Sequence, residues 1–121
     1  MIKIIDKAMY LPQGDTATVN VFDAEFLGLT IADTDKLLFL ITDKAHREVF
    51  RRVLEPVEGV FTLTITQEDS IPVGEYLWQV RQYVNGVVDG EGNLTGDEIN
   101  TPLGPQVFKV MEVLGNGELH T

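Results

Sequence analysis

Asp89, Glu91 and Asn93 stand at alternate positions of an acidic stretch, and three oxygen donors so spaced invite a calcium reading. A calcium loop of the helix–loop–helix type requires Gly at its sixth position and a bidentate Glu at its twelfth. Counted from Asp89, those places hold Leu94 and Asn100, so both defining positions fail and no metal is assigned. Together with Asp97, the three residues are kept as a candidate binding loop whose ligand the sequence does not name. The histidines are His46, in the turn-like segment Asp43-Lys44-Ala45-His46-Arg47, and His120 in the tail. A zinc site needs three or four good ligands and a triad needs a base fixed beside its nucleophile, and neither assembles around two such residues. There is no cysteine, which removes disulfides, thiolate metal sites and a cysteine nucleophile. Gly90-Glu91-Gly92 precedes no helix and lacks a following Lys, so it is no phosphate cradle. Carboxylate pairs can cleave glycosides across a cleft, but 19 acidic residues generate pairs by chance and a domain this small has little cleft. The expectation is a non-enzymatic protein without a cofactor.

Subtracting 19 acidic from 9 basic residues leaves −10 on 121 residues. Such a surface repels phosphate backbones and anionic lipid, so nucleic acid and membranes are not expected partners. Arg47, Arg51 and Arg52 form the one basic cluster; on a strand, neighbours point to opposite faces, so Arg51 and Arg52 are read as paired with acidic neighbours. The apolar start, Met1-Ile2-Lys3-Ile4-Ile5, is broken by Asp6 and Lys7, which does not match a secretory signal. The longest apolar run, Leu37 to Ile41, falls far short of the roughly 20 residues that span a bilayer.

The elements that must position these residues read as strands. Phe61, Leu63 and Ile65 alternate with Thr62, Thr64 and Thr66; Tyr76, Trp78 and Val80 alternate with Glu75, Gln79 and Arg81. Ala17, Val19 and Val21 alternate with Thr18 and Asn20, and Asp35 to Thr42 is apolar on both faces, as suits a central covered strand. Glu48 to Leu54, Gln106 to Leu114 and a first strand near Ile2 to Ala8 complete the set, while Ala24 to Asp33 holds at most one turn of helix. Gly and Pro punctuate the intervals at Gln13-Gly14-Asp15, Glu55 to Gly59, Ile71 to Gly74 and Leu103-Gly104-Pro105. About seven strands predict an all-β, two-sheet sandwich over 1–114, with a small barrel as the competing architecture and 115–121 as a flexible tail. Trp78 falls inward with Tyr76, whereas Tyr83 and Phe22 have the opposite parity and are expected to be exposed. Asn85 to Pro105 is read as a long solvated connection pinned by a small hairpin at Leu94 to Thr101.

The stretch Pro72-Val73-Gly74-Glu75-Tyr76-Leu77-Trp78-Gln79-Val80 resembles the corner of immunoglobulin-like domains. There a Tyr hydroxyl ties back to the preceding connection, two residues before the second cysteine. Trp78 stands in that cysteine's place, so the resemblance is to the architecture and not to the disulfide-bonded family. Three features are similar to small immunoglobulin-like structural proteins of tailed bacteriophages and prophages, such as the N-terminal domains of baseplate upper proteins. They are Gln13-Gly14-Asp15-Thr16-Ala17 before an alternating strand, Asp35 to Ile41 as a central strand, and Ile71 to Trp78. The similarity runs from about Gln13 to Leu114 and departs at Asn85 to Pro105.

That resemblance implies an immunoglobulin-like antiparallel β-sandwich, no catalytic residues, and a place in a virion or the bacterial cytoplasm. The expected function is a structural or assembly module whose partners are virion proteins or further copies of itself as a homo-oligomer. Leu38, Leu40, Phe50 and Leu77 have outward parity yet are large and apolar, which makes them the candidate interaction surface unless twist and bulges bury them. The alternative is a carbohydrate- or host-surface-binding module using the 85–105 loop.

Overall fold

The computed structural model describes residues 2–69 and 71–112. In chain order the elements are β1 (Lys3–Ile5), β2 (Ala8–Pro12), β3 (Ala17–Asp23), α1 (Ala24–Leu27), β4 (Lys36–Thr42), β5 (Glu48–Leu54), β6 (Pro56–Val57) and β7 (Val60–Ile65). A 3-10 turn at Gln67–Asp69 leads to β8 (Gly74–Val84), β9 (Val87–Val88), β10 (Leu94–Thr95) and β11 (Glu98–Met111). The protein is therefore mostly β with one short helix, as its alternation predicts.

Six strands form one sheet in the order β1-β2-β11-β8-β4-β5, three form a second in the order β3-β7-β6, and β9 with β10 makes a separate two-stranded hairpin. The first sheet is mixed rather than wholly antiparallel, because β2 pairs in parallel with β11, Met9 opposite Phe108 and Leu11 opposite Val110. The expected single first strand is a hairpin: Asp6 and Lys7 both take positive φ, 48° and 68°. That is the geometry of the two-residue hairpin turn whose twist matches its flanking strands.

Residues from both sheets bury into one core. Phe61, Leu63 and Ile65 of β7 face Trp78 and Val80 of β8, Phe39 and Ile41 of β4, and Phe108 and Val110 of β11. At its centre three rings meet across the two layers. Trp78 stacks on Phe39 with centroids 5.7 Å apart, and Phe22 from β3 approaches both, at 6.0 Å and 6.1 Å. Such contacts contribute about 0.5–1.5 kcal/mol each beyond the area they bury. The Trp78 indole N–H is satisfied by the Lys7 carbonyl at 2.8 Å, which ties β8 to the turn between β1 and β2.

Phe22 corrects its expected exposure. A bulge between Val19 and Phe22 shifts the register of β3 on β7, so that Phe22 pairs with Phe61 and turns into the core. Tyr83 is also buried, on the outer side of β8 between Lys36 of β4 and Ile99 of β11.

The connection Asn85 to Pro105 is shorter than its composition suggests. Its second half is already strand, since Glu98, Ile99 and Asn100 pair with Val84, Tyr83 and Gln82. Register shifts on either side of Leu103 accommodate Pro102, Gly104 and Pro105, residues that read as loop because proline cannot donate to a regular ladder. The hairpin that remains is β9–β10, Val88 opposite Leu94, rather than Leu94 to Thr101. The expected tail, 115–121, and the end of the last expected strand lie outside the described residues.

Two ties clamp the ends of the layers. The Tyr76 hydroxyl donates to the Pro72 carbonyl at 2.7 Å, closing the corner before β8. Arg52 reaches from β5 to Asp69 after β7 at 2.8 Å, and its guanidinium lies 5.1 Å from the Phe50 ring centre. Arg51 pairs with Glu48 and Arg47 with Asp43, so the three arginines of the basic cluster each have an acidic partner.

Candidate functional site

Two places gather the residues singled out by sequence: the outer face of the six-stranded sheet, and the end where the connections before β4 and after β8 meet. On the outer face the four candidate apolar residues separate. Phe50 pairs with Ile41 and lies 8% exposed in the core, because the bulge between Ile41 and Thr42 sets β5 so that Phe50, Arg52 and Leu54 face inward. Leu38 does face outward but is 3% exposed, flanked on both sides by its cross-strand neighbours Val53 and Arg81. A side chain on a central strand is walled in by neighbours about 5 Å away on each side.

Leu40 and Leu77 remain half-buried on that face. They border a shallow depression of ≈280 Å³ with Thr42, Gln79, Arg81, His46 and Pro105. Val107, opposite Leu77 on β11, extends the apolar surface and is 36% exposed. His46 reaches the rim from the β4–β5 turn, where it adopts a positive φ of 63°. Asp43 builds that turn: its Oδ1 accepts the Ala45 and Arg47 backbone N–H groups, and its Oδ2 accepts Arg47 Nε at 2.9 Å. The Arg47 backbone N–H is the foremost cause holding the Asp43 carboxyl below its ordinary range. His120 lies outside the described residues.

At the other end, the candidate loop residues divide between a turn and an anchor. Asp89 Oδ1 accepts the backbone N–H groups of Glu91 and Asn93 at 2.8 and 2.9 Å, the side-chain-to-backbone closure typical of aspartate in turns. Those bonds, the one from Asn93 first, hold its carboxyl low. Asp97 accepts Asn85 Nδ2 at 2.7 Å, while its own N–H donates to the Val84 carbonyl. Asp89, Glu91, Asn93 and Asp97 are all solvent-exposed, the first three within one turn and Asp97 bound to Asn85. Among the described residues no three His, Cys, Asp or Glu side chains are grouped to hold a metal ion.

Beneath the hairpin lies a network that the sequence reading did not single out. Asp35 and Gln82 are each 3% exposed, the two buried polar side chains among the described residues. Asp35 Oδ2 accepts the Ala32 N–H at 2.9 Å and Gln82 Nε2 at 3.0 Å, and its Oδ1 accepts the Asn85 N–H at 3.2 Å. Gln82 also donates to the Thr30 carbonyl and accepts Asn100 Nδ2 at 3.1 Å. The signal was present but faint: Gln82 has the inward parity of Trp78 and Val80, a position where an amide demands partners. Thr34 Oγ1 donates to Asn85 Oδ1 at 2.7 Å and Gly86 N–H to the Thr34 carbonyl, which cross-links the two connections.

No helix in the described residues is long and apolar enough to cross a membrane. Comparison of the chain with protein-family models, with curated proteins and with solved structures gives no match.

Proposed function

We propose that this chain is a non-enzymatic, immunoglobulin-like structural module of a tailed-phage or prophage particle, docking on a neighbouring protein of that particle. The observation that carries the immunoglobulin-like reading is the strand order together with the Tyr76 corner. β3-β7-β6 corresponds to the B-E-D sheet of such domains, and β11-β8-β4-β5 to G-F-C-C′. Tyr76 opens the F-equivalent strand and bonds back to Pro72 four residues upstream, as the tyrosine corner does. Where the inter-sheet disulfide joins B to F, Phe22 of β3 meets Trp78 of β8, and Phe39 on the C-equivalent strand packs against both. A ring cluster thus occupies the place between the sheets that the disulfide takes elsewhere.

The virion assignment follows from the resemblance of the Gln13–Ala17, Asp35–Ile41 and Ile71–Trp78 segments to phage structural proteins. The docking surface is the outer face of the large sheet, where Leu40, Leu77 and Val107 lie within reach of a partner, as does Ile99 further along β11. The test is mass spectrometry of density-gradient-purified particles induced from a strain carrying the gene. Presence of the chain at a fixed ratio to the other particle proteins, lost in a Leu77→Lys variant that still folds, supports the proposal. A chain abundant in the lysate and missing from the particles overturns it. Light scattering across a concentration series separates docking on a neighbour from self-association.

A further inference from the structure

The Asp35–Gln82 network forms the floor of an open cavity of ≈350 Å³, walled by the connection before β4 on one side and by the ends of β8 and β11 on the other. We infer that this cavity is a binding site for a neutral pyranose unit. The inference is independent of the virion proposal, since the site would act in any protein that carries it.

The chemistry of the lining selects the ligand. Its volume falls in the range of about 300–1,000 Å³ typical of small-molecule sites. None of the lining residues is Lys, Arg or His, and the chain carries −10, so phosphates and carboxylates are disfavoured. Asp35, at the floor, already accepts three N–H bonds, from Ala32, Gln82 and Asn85, so most of its acceptor sites are taken within the protein. What remains toward the opening is the Thr30 hydroxyl, the Glu98 carboxylate and the part of the Asn100 carboxamide not engaged by Gln82, with Leu29 and Val84 as apolar wall. An amide beside a carboxylate offers both donor and acceptor, which suits hydroxyls because each can do either. The apolar wall suits the C–H face of a sugar ring.

The walls are fixed before any ligand arrives. Thr34 to Asn85 and Gly86 to Thr34 lace the two connections together, and Asn85 to Asp97 ties the base of the second. A cavity assembled in advance loses less ordering entropy on binding. The hairpin tip with Asp89, Glu91 and Asn93 is not part of this lining, so only the base of the expected loop takes part.

The test is titration of the uniformly 15N-labelled full chain with glucose, galactose, mannose, N-acetylglucosamine and rhamnose, and separately with methylammonium chloride. At least one sugar should give saturable shifts at the amides of Leu29, Asn85 and Asn100, with a dissociation constant of about 1 mM. Asn100→Ala should weaken that binding about tenfold through the lost hydrogen bonds. Glu98→Gln, which removes the charge and keeps the acceptor, should change it less than about twofold. Thr30→Leu narrows the opening from an exposed position, so it supplies the same loss of affinity if Asn100→Ala disturbs the fold. Absence of a saturable response to all five sugars overturns the inference, as do shifts confined to residues 89–93. Saturation by methylammonium in place of the sugars overturns it as well and assigns the cavity to a cation.

Discussion

Replacing Trp78 by Ala tests the central packing claim most directly. The indole is 0% exposed, stacks on Phe39 at 5.7 Å, meets Phe22 at 6.0 Å and donates to Lys7 at 2.8 Å. Truncating a buried Trp costs about 3–5 kcal/mol, from lost transfer energy and the cavity left behind. The lost bond to Lys7 places this site toward the upper end, although Lys7 is exposed and its carbonyl can turn to water. Against a total stability of about 5–15 kcal/mol for a domain of ordinary size, that removes between a third and nearly all of it. With a urea slope of about 2 kcal/mol per molar, the midpoint should fall by about 2 M. Trp78→Phe is the companion: it keeps a ring against Phe39, loses the N–H donor, and should cost about 1–2 kcal/mol. Circular dichroism reports both, because Trp78 is the only tryptophan and fluorescence is lost with it. Superimposable melts for Trp78→Ala and the parent would refute the three-ring core and the inward assignment of β8.

Three further outcomes follow from other parts of the fold. Tyr76→Phe deletes the bond to Pro72 and should cost about 0.5–1.5 kcal/mol in urea melts. Burial first, and the Asp43 charge second, raise the Tyr76 pKa above its ordinary 10.0. The folded state therefore holds this proton more tightly, so its contribution is complete below pH 10.0 and is lost as pH rises through the raised value; an alkaline melting series should show this decline in the parent and not in the Phe variant. Gly96→Ala sets a Cβ 2.8 Å from the Val84 carbonyl oxygen and 3.2 Å from Tyr83 Cβ, so hydrogen exchange at Asp97 should accelerate, whereas Gly90→Ala, with open space around it, should leave exchange unchanged. Replacing Asp89–Asn93 by a two-residue Asn-Gly turn should move the melting temperature by less than about 3 °C, since all five residues are exposed; a larger fall would show that the hairpin tip is packed.

Where side chains alternate without interruption, sequence and structure agree. Phe61 to Ile65 and Tyr76 to Val80 point as their period of two demands, and Arg51 and Arg52 each find a carboxylate, as opposite faces require. The departures sit at bulges. One extra residue between Val19 and Phe22 reverses the parity of everything after it, and the shift at Ile41/Thr42 goes with the inward turn of Phe50. Nothing local announces a bulge, because it is settled by the partner strand. The same holds for β11, whose prolines look like loop until β8 supplies the register. The outer-face candidates Leu40 and Leu77 were legible as apolar residues of outward parity. Gln82 carried a faint signal in its inward parity, but its pairing with Asp35 did not, since the two are 47 positions apart and only the pairing of β4 with β8 brings them together.

The strand that closes the large sheet is also the last of the described strands to leave the ribosome. β11 lies between β2 and β8, so until it is synthesised the β1–β2 hairpin has no seat and the long flank of β8 stands open. A nascent chain stopped before Glu98 presents two bare strand borders at once, the condition under which β-rich chains stick to one another. The large sheet is thus complete only once β11 has been synthesised and captured between β2 and β8.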